Sequence, residues 1–159
     1  LSRAMEPRAP APDRRLAAIR TLSDAGIPVR VMVAPVVPAL TDPELEAILA
    51  GAAAAGAKAA SWIMLRLPFE VAGLFRDWLT EHYPDRAERV MARVREMHGG
   101  KDYSAEWGRR MRGDGHYARL VGARFDIAAR RLGLATALPA LRTDLFAVPP
   151  KPGDQLELF

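Results

Sequence analysis

Arginines are the residues of this chain best placed, by type and spacing, to do chemistry. Between Lys101 and Arg131 stand eight basic residues, Lys101, Arg109, Arg110, Arg112, Arg119, Arg124, Arg130 and Arg131, against four acids, Asp102, Glu106, Asp114 and Asp126. That surplus equals the +4 formal charge of the whole chain, so the remaining segments are balanced. Tyr103, Trp107, Tyr117 and the glycines Gly108, Gly113 and Gly115 are interleaved with them. Guanidinium groups pair bidentately with phosphates, and flat rings stack on an unstacked base. Arg109, Arg110 and Arg112 are therefore candidates for contact with nucleic acid. A general bias toward arginine accounts for the same cluster, since only Lys58, Lys101 and Lys151 are lysines among 23 basic residues. Both explanations stand at this level.

Other chemistries are excluded by residue type. The chain has no cysteine, and its histidines, His82, His98 and His116, share no helical face. Neither an iron–sulfur cluster nor a zinc site can be assembled from such a set. Gly99-Gly100-Lys101 lacks the longer loop and following Ser or Thr of a phosphate-binding P-loop. Thr41 and Glu44 read as a capping box with Pro43 preset for the first turn, which makes Asp42 and Glu44 helix-start residues, not acid or base catalysts. No catalytic residue emerges. At 159 residues and 50% hydrophobic the chain has material for one modest core. Its most apolar stretch, the Ala-rich Leu45 to Ala55, keeps helical spacing at Leu45, Ile48, Leu49 and Ala52 and is too short for a bilayer. A soluble protein with no membrane contact is expected.

The elements that must carry these residues alternate at first between helix and strand. Pro12 suits a first helical position, Leu16, Ile19, Leu22 and Ala25 form a stripe, and Gly26 ends the helix. Val29 to Pro38 reads as a buried parallel strand closing in a Pro-rich turn. A helix from Asp42 to Ala55, stopped by Gly56, leads to a second strand from Ala59 to Leu65, ending at Arg66-Leu67-Pro68. The fold class is α/β. Two parallel strands cannot bury themselves, because such a sheet needs neighbours and cover on both faces. A helix that opens the chain and feeds a strand implies an earlier strand, so a C-terminal part of a longer protein is expected.

After Pro68 the pattern becomes helical. Val71, Leu74, Phe75, Trp78 and Leu79 mark one helix, Tyr83-Pro84-Asp85 a turn, and Ala87, Val90, Met91, Val94 and Met97 a second helix ended by Gly99-Gly100. A third runs from His116 to Leu132 before Gly133. From Leu134 onward Pro139, Pro149, Pro150, Pro152 and Gly153 make an extended tail. The expected organisation is residues 1–68, a helical extension over 69–134, and the tail over 135–159.

The stretches Glu6-Pro7-Arg8-Ala9-Pro10-Ala11-Pro12, Arg15-Leu16, Ala25-Gly26-Ile27-Pro28-Val29, Val33-Ala34-Pro35-Val36-Val37-Pro38 and Thr41-Asp42 resemble the second half of the radical S-adenosylmethionine (radical SAM) core in proteins related to spore photoproduct lyase. The likeness covers roughly Leu1 to Pro68. It continues into one bacterial subgroup through Arg109 to Gly113, Arg130 to Leu134, Leu141 to Phe146 and the end Gln155 to Phe159. The resemblance implies the C-terminal part of a partial (β/α) barrel, with the cofactor across the C-terminal ends of its strands. It implies S-adenosylmethionine against Pro35, Val36 and Val37, with Glu6 and Arg8 on its amino-acid or ribose groups and Arg66 facing substrate. The family's 4Fe-4S cluster sits on three cysteines, so in the parent protein its ligands would lie outside this chain, and the chain alone is expected to be inactive. A glycine-containing adenine motif common in related families is absent. Beside these implications, Pro35 and Pro38 read equally as strand terminators, and Glu6 with Arg8 as a local ion pair.

Nucleic-acid repair in a reducing cytoplasm is the activity that the likeness implies. The last residues, Gln155-Leu156-Glu157-Leu158-Phe159, are similar to the peptide by which bacterial polymerases and repair proteins dock on the DNA sliding clamp. In it Gln155 would bond at the pocket rim, Leu158 and Phe159 would fill apolar subsites, and Leu156 would lie beside them. A non-catalytic module binding DNA and the clamp is the alternative reading.

Overall fold

Apolar β-branched residues between two turns settle into strands, and here they make one parallel pair. In the computed structural model, which describes residues 2–149, 151 and 153, the elements run α1 (Ser2–Met5), α2 (Pro12–Asp24), β1 (Arg30–Val36), a 3-10 turn (Asp42–Glu44), α3 (Leu45–Ala54), β2 (Ala59–Met64), α4 (Val71–His82), α5 (Pro84–Met97) and α6 (Gly115–Arg131). β1 pairs in parallel with β2, with Arg30 opposite Ala59 and Val33 opposite Trp62. The register slips between Val33 and Val36. Pro35 has no amide hydrogen to give a ladder, so it passes through a bulge and does not end the strand.

Alternation along the strands sends Val33 and Val36 of β1 and Ala60, Trp62 and Met64 of β2 to one face, where α3 and α6 cover them through Leu45, Leu49, Val121 and Phe125. On the other face Met32, Ala34, Ser61 and Ile63 are exposed or half-buried. A second cluster forms beyond the carboxyl ends of the strands, where Val37, Leu40, Leu65 and Leu67 meet Phe75 and Leu79 of α4 and Val90, Met91 and Val94 of α5. The helices after Pro68 thus complete the core of the strand–helix–strand unit. No helix among the described residues is long and apolar enough to cross a membrane.

Several local expectations change. The helix expected over 42–55 is a 3-10 turn followed by α3, and no capping box forms. The Thr41 hydroxyl accepts instead from the Val37 amide at 2.8 Å, closing the Pro-rich turn back on the end of β1. The stripe on α2 is only partly used: no residue of that helix is fully buried, and Leu22 is 42% exposed. Leu16 and Ile19 are half-buried, and only Ile19 reaches the core cluster. Pro84 opens α5, so Tyr83 alone joins α4 to α5, because a proline at the first helical position needs no amide partner. In the tail Leu134 is buried and Ala135 bridges Ala59, after which no regular element follows among the described residues.

Candidate functional site

The outer edge of β2 is finished by the loop that joins α5 to α6. The Met64 amide donates to the Met111 carbonyl at 2.9 Å, and that bond lays the loop along the strand. Residues on either side of Met111 then fall on the aromatic and basic groups of β2. Arg112 lies over the Trp62 ring, 4.3 Å from its centre. Arg66, at the end of β2, lies 5.9 Å from the centre of the Tyr103 ring, donates to the Tyr103 hydroxyl at 3.2 Å and approaches the Met111 Sδ at 3.7 Å. Arg110 stacks on Trp107 at 4.3 Å, and that ring is 86% exposed. The turn that delivers Arg112 needs glycine at 113. Its φ is +70°, and a Cβ there would stand 2.9 Å from the Cβ of Met97. The next residue, Asp114, caps α6 by accepting from the Gly115 amide at 2.7 Å.

Charge pairing sorts the arginines. Asp102 bonds Arg95 at 2.8 Å and Arg76 at 3.3 Å; Glu106 bonds Arg109 at 3.1 Å; Asp114 bonds Arg109 at 3.0 Å and meets Arg119 at 3.8 Å. Every acid in the loop is therefore engaged. Among the described residues no carboxylate lies within 4.0 Å of Arg66, Arg110 or Arg112. A guanidinium held by its face on a ring keeps its in-plane N–H donors at the rim, where a phosphate binds. Burial lowers the pKa of Arg112 while Asp126 acts the other way, and a guanidinium stays cationic at neutral pH throughout. Arg110 and Arg112 thus share one state, stacked on a ring with no carboxylate within 4.0 Å, whereas Arg66 spends donors on Tyr103 and Met111 and Arg109 is paired with acids.

Beside this surface lies a cavity of about 530 Å³ bounded by His98, Lys101, Tyr103, Glu106, Arg109 and Asp114. His98 is 5% exposed, and both ring nitrogens are shut off from solvent without a hydrogen-bond partner. Burial pushes its pKa down, and the Leu65 backbone offsets this only in part. The imidazole is neutral at pH 7 and belongs to the packing. No group of three or more His, Asp or Glu side chains among the described residues is placed to hold a metal.

The outer edge of β1 is different. It borders a mostly apolar groove of about 370 Å³ between α2 and α3, lined by Glu6, Leu16, Met32, Ala34, Pro35 and Ile48 among others. Of the five residues implied for the cofactor, Glu6 and Pro35 come together here. Arg8 is exposed and lies off the groove, and Glu6 pairs with Arg15 at 3.3 Å, not with Arg8. Val36 and Val37 are 1% and 0% exposed, with side chains in the two core clusters. Their backbones are engaged too: the Val36 carbonyl accepts from Leu65, and the Val37 amide donates to Thr41. Gln155, Leu156, Leu158 and Phe159 lie outside the described residues.

One constellation escaped the sequence. Asp42, 7% exposed, accepts from the Tyr117 hydroxyl at 2.9 Å and from Arg124 at 3.4 Å, while Arg124 grips Glu46 at 2.7 and 2.8 Å and the Asp42 carbonyl at 2.8 Å. The Tyr117 hydroxyl also accepts from the Ala39 amide at 3.0 Å. The hydrogen bond from Arg124 holds Glu46 below the usual carboxylate range. This network bolts α6 to the start of α3 and is structural. Its signal was available: Tyr117 and Arg124 are seven apart on α6, two turns along one face.

No family model matches the chain, and no solved structure matches it. Uncharacterized proteins of Mycobacterium bovis and Mycobacterium tuberculosis are 38% identical to it over 100 residues, which is 62% of this chain and 28% of each relative. The chain spans less than a third of the curated relatives that it matches.

Proposed function

We propose that this chain is the closing part of a radical SAM (β/α) barrel enzyme of the cytoplasm, acting on nucleic acid, whose cluster ligands lie elsewhere in the parent protein. The observation that carries the reading is the free outer edge of β1: a seven-residue parallel strand with β2 on one side and no strand or bridge on the other among the described residues. Parallel sheets occur with cover on both faces, and a two-stranded sheet is marginal by itself, so the bare edge and face of β1 suit a further strand. Relatives several times longer than the matched stretch support the same reading.

The 4Fe-4S cluster does not fit this chain, which has no cysteine. S-adenosylmethionine fits in part: the groove offers apolar wall at Ala34 and Pro35, while the Glu6 carboxylate beside it is already paired with Arg15 at 3.3 Å. Bound against that wall and given an electron by the parent's cluster, the cofactor would supply a carbon radical; the part of this chain is to hold it. The test is iron and sulfide analysis, with spectra after anaerobic reconstitution, on protein made from the complete reading frame. Iron and sulfide bound together are expected. A full-length protein without them, or without three closely spaced cysteines, overturns the reading.

A second reading, a non-catalytic module for DNA and the sliding clamp, is favoured by Arg110 and Arg112, stacked on rings with no carboxylate within 4.0 Å on the loop that closes β2. It assigns Gln155, Leu156, Leu158 and Phe159 to the clamp, and deletion of residues 155–159 would then abolish co-elution with it.

A further inference from the structure

We propose that Trp107 and Arg110 form a stacking platform for an unstacked base of single-stranded nucleic acid, whose phosphates pair with Arg110 and Arg112. The inference rests on the nucleic-acid part of the reading above and is independent of the cluster, since none of these residues touches the β1 groove. Three observations carry it. Trp107 is 86% exposed, whereas Trp62 is 3% exposed and Trp78 is half-buried. A ring of that size left in water is unfavourable, and no core packing repays it.

The second observation is that one face of the Trp107 ring is already occupied by the Arg110 guanidinium at 4.3 Å. That contact orients the indole and sets a cation beside it, the combination that recognises a base and its adjoining phosphate. The third is charge. Pairing within the loop consumes Asp102, Glu106 and Asp114 with Arg76, Arg95, Arg109 and Arg119 and leaves Arg110 and Arg112 cationic without a carboxylate partner. The net local field favours a polyanion. A polyanion that also presents flat faces is a nucleic acid; an acidic peptide supplies the charge alone. Within a duplex the base faces are already stacked, so the ring selects a single strand or an extruded nucleotide.

The experiment measures binding of a labelled oligothymidylate, its duplex with oligoadenylate and polyglutamate to the full-length protein by anisotropy over a range of salt. The single strand is expected to bind tighter than the duplex, with polyglutamate weaker than either. Trp107→Ala is expected to weaken single-strand binding about tenfold or more, with Trp107→Phe in between. Arg110→Ala with Arg112→Ala is expected to reduce the salt slope by about 1.4. Because Trp107 packs on nothing in the core, an unchanged melting temperature of Trp107→Ala certifies the fold. Equal affinity of Trp107→Ala and the native protein, a preference for duplex, or polyglutamate binding as tight as the oligonucleotide would each overturn the proposal. So would an absence of binding by the native protein. If the iron analysis fails while these results hold, the enzyme reading falls and this one stands.

Discussion

The two outer edges of one small sheet have opposite fates. Along β2 the edge is closed: Met64 donates to Met111, Ala60 donates to Ala135 at 2.9 Å, and stacked arginines lie over what remains. Along β1 it is open, with the parallel bonding pattern turning the backbone of Met32 and Ala34 outward to a groove. The faces follow suit, since α3 and α6 bury one side of the sheet and Met32 stands 55% exposed on the other. An exposed strand edge is an aggregation hazard that proteins normally cover or charge. Here one edge is covered by loop backbone, and the other is left with an apolar groove and few charges. The contrast separates an edge that the chain covers with its own loop from one that carries no strand or bridge among the described residues.

Amide exchange gives the largest difference. In this chain alone the amides of Ala60 and Met64 should be protected by orders of magnitude over those of Met32 and Ala34, because opening free energies run from near zero at free edges to the global value in paired ones. In the full-length protein, protection of Met32 and Ala34 would place a strand beside β1, and fast exchange there would argue that the edge is free in the working molecule.

Truncation comes next. Leu49→Ala on α3, at a fully buried site against the sheet, should cost about 2–5 kcal/mol. Leu22→Ala on α2, 42% exposed beyond the open edge, should stay within about 0.5 kcal/mol. Similar melting shifts for the two would show that α2 is packed as tightly as α3 and would dissolve the contrast.

The smallest effect concerns His98 on the closed side. Its pKa is held below the ordinary 6.5, so as the pH falls below that value the unfolded chain takes up a proton that the folded chain refuses. Stability should therefore be flat above pH 6.5 and decline below it until the lower folded value is reached. His98→Gln should flatten the decline in urea titrations; an unaltered slope would mean that the acid sensitivity comes from carboxylates.

Much of this was legible before any coordinates. The three long helices after Pro68 and both strands were readable because apolar spacing and Gly at helix ends are local signals, each acting within a turn or two of chain, whereas Pro84, read as part of a turn, opens α5. The arginine surface was legible as composition, but its membership was not. Arg109, Arg110 and Arg112 look alike in sequence, yet Arg109 is consumed by Glu106 and Asp114 while the other two stack on Trp107 and Trp62. The capping box at Thr41 failed because the hydroxyl accepts from the Val37 amide just past β1, and the Glu44 amide donates to the Thr41 carbonyl.

The chain by itself determined its element types, its parallel strand pair and the excess of positive charge between Lys101 and Arg131, since these depend on residues near one another in sequence. Which charges stay uncompensated, which strand edge is covered and which valines vanish into the core were decided only by the tertiary structure. Coulombic pairing and burial act over a few ångströms in space, and the residues that meet there, such as Asp42 with Arg124 or Trp62 with Arg112, are far apart along the backbone.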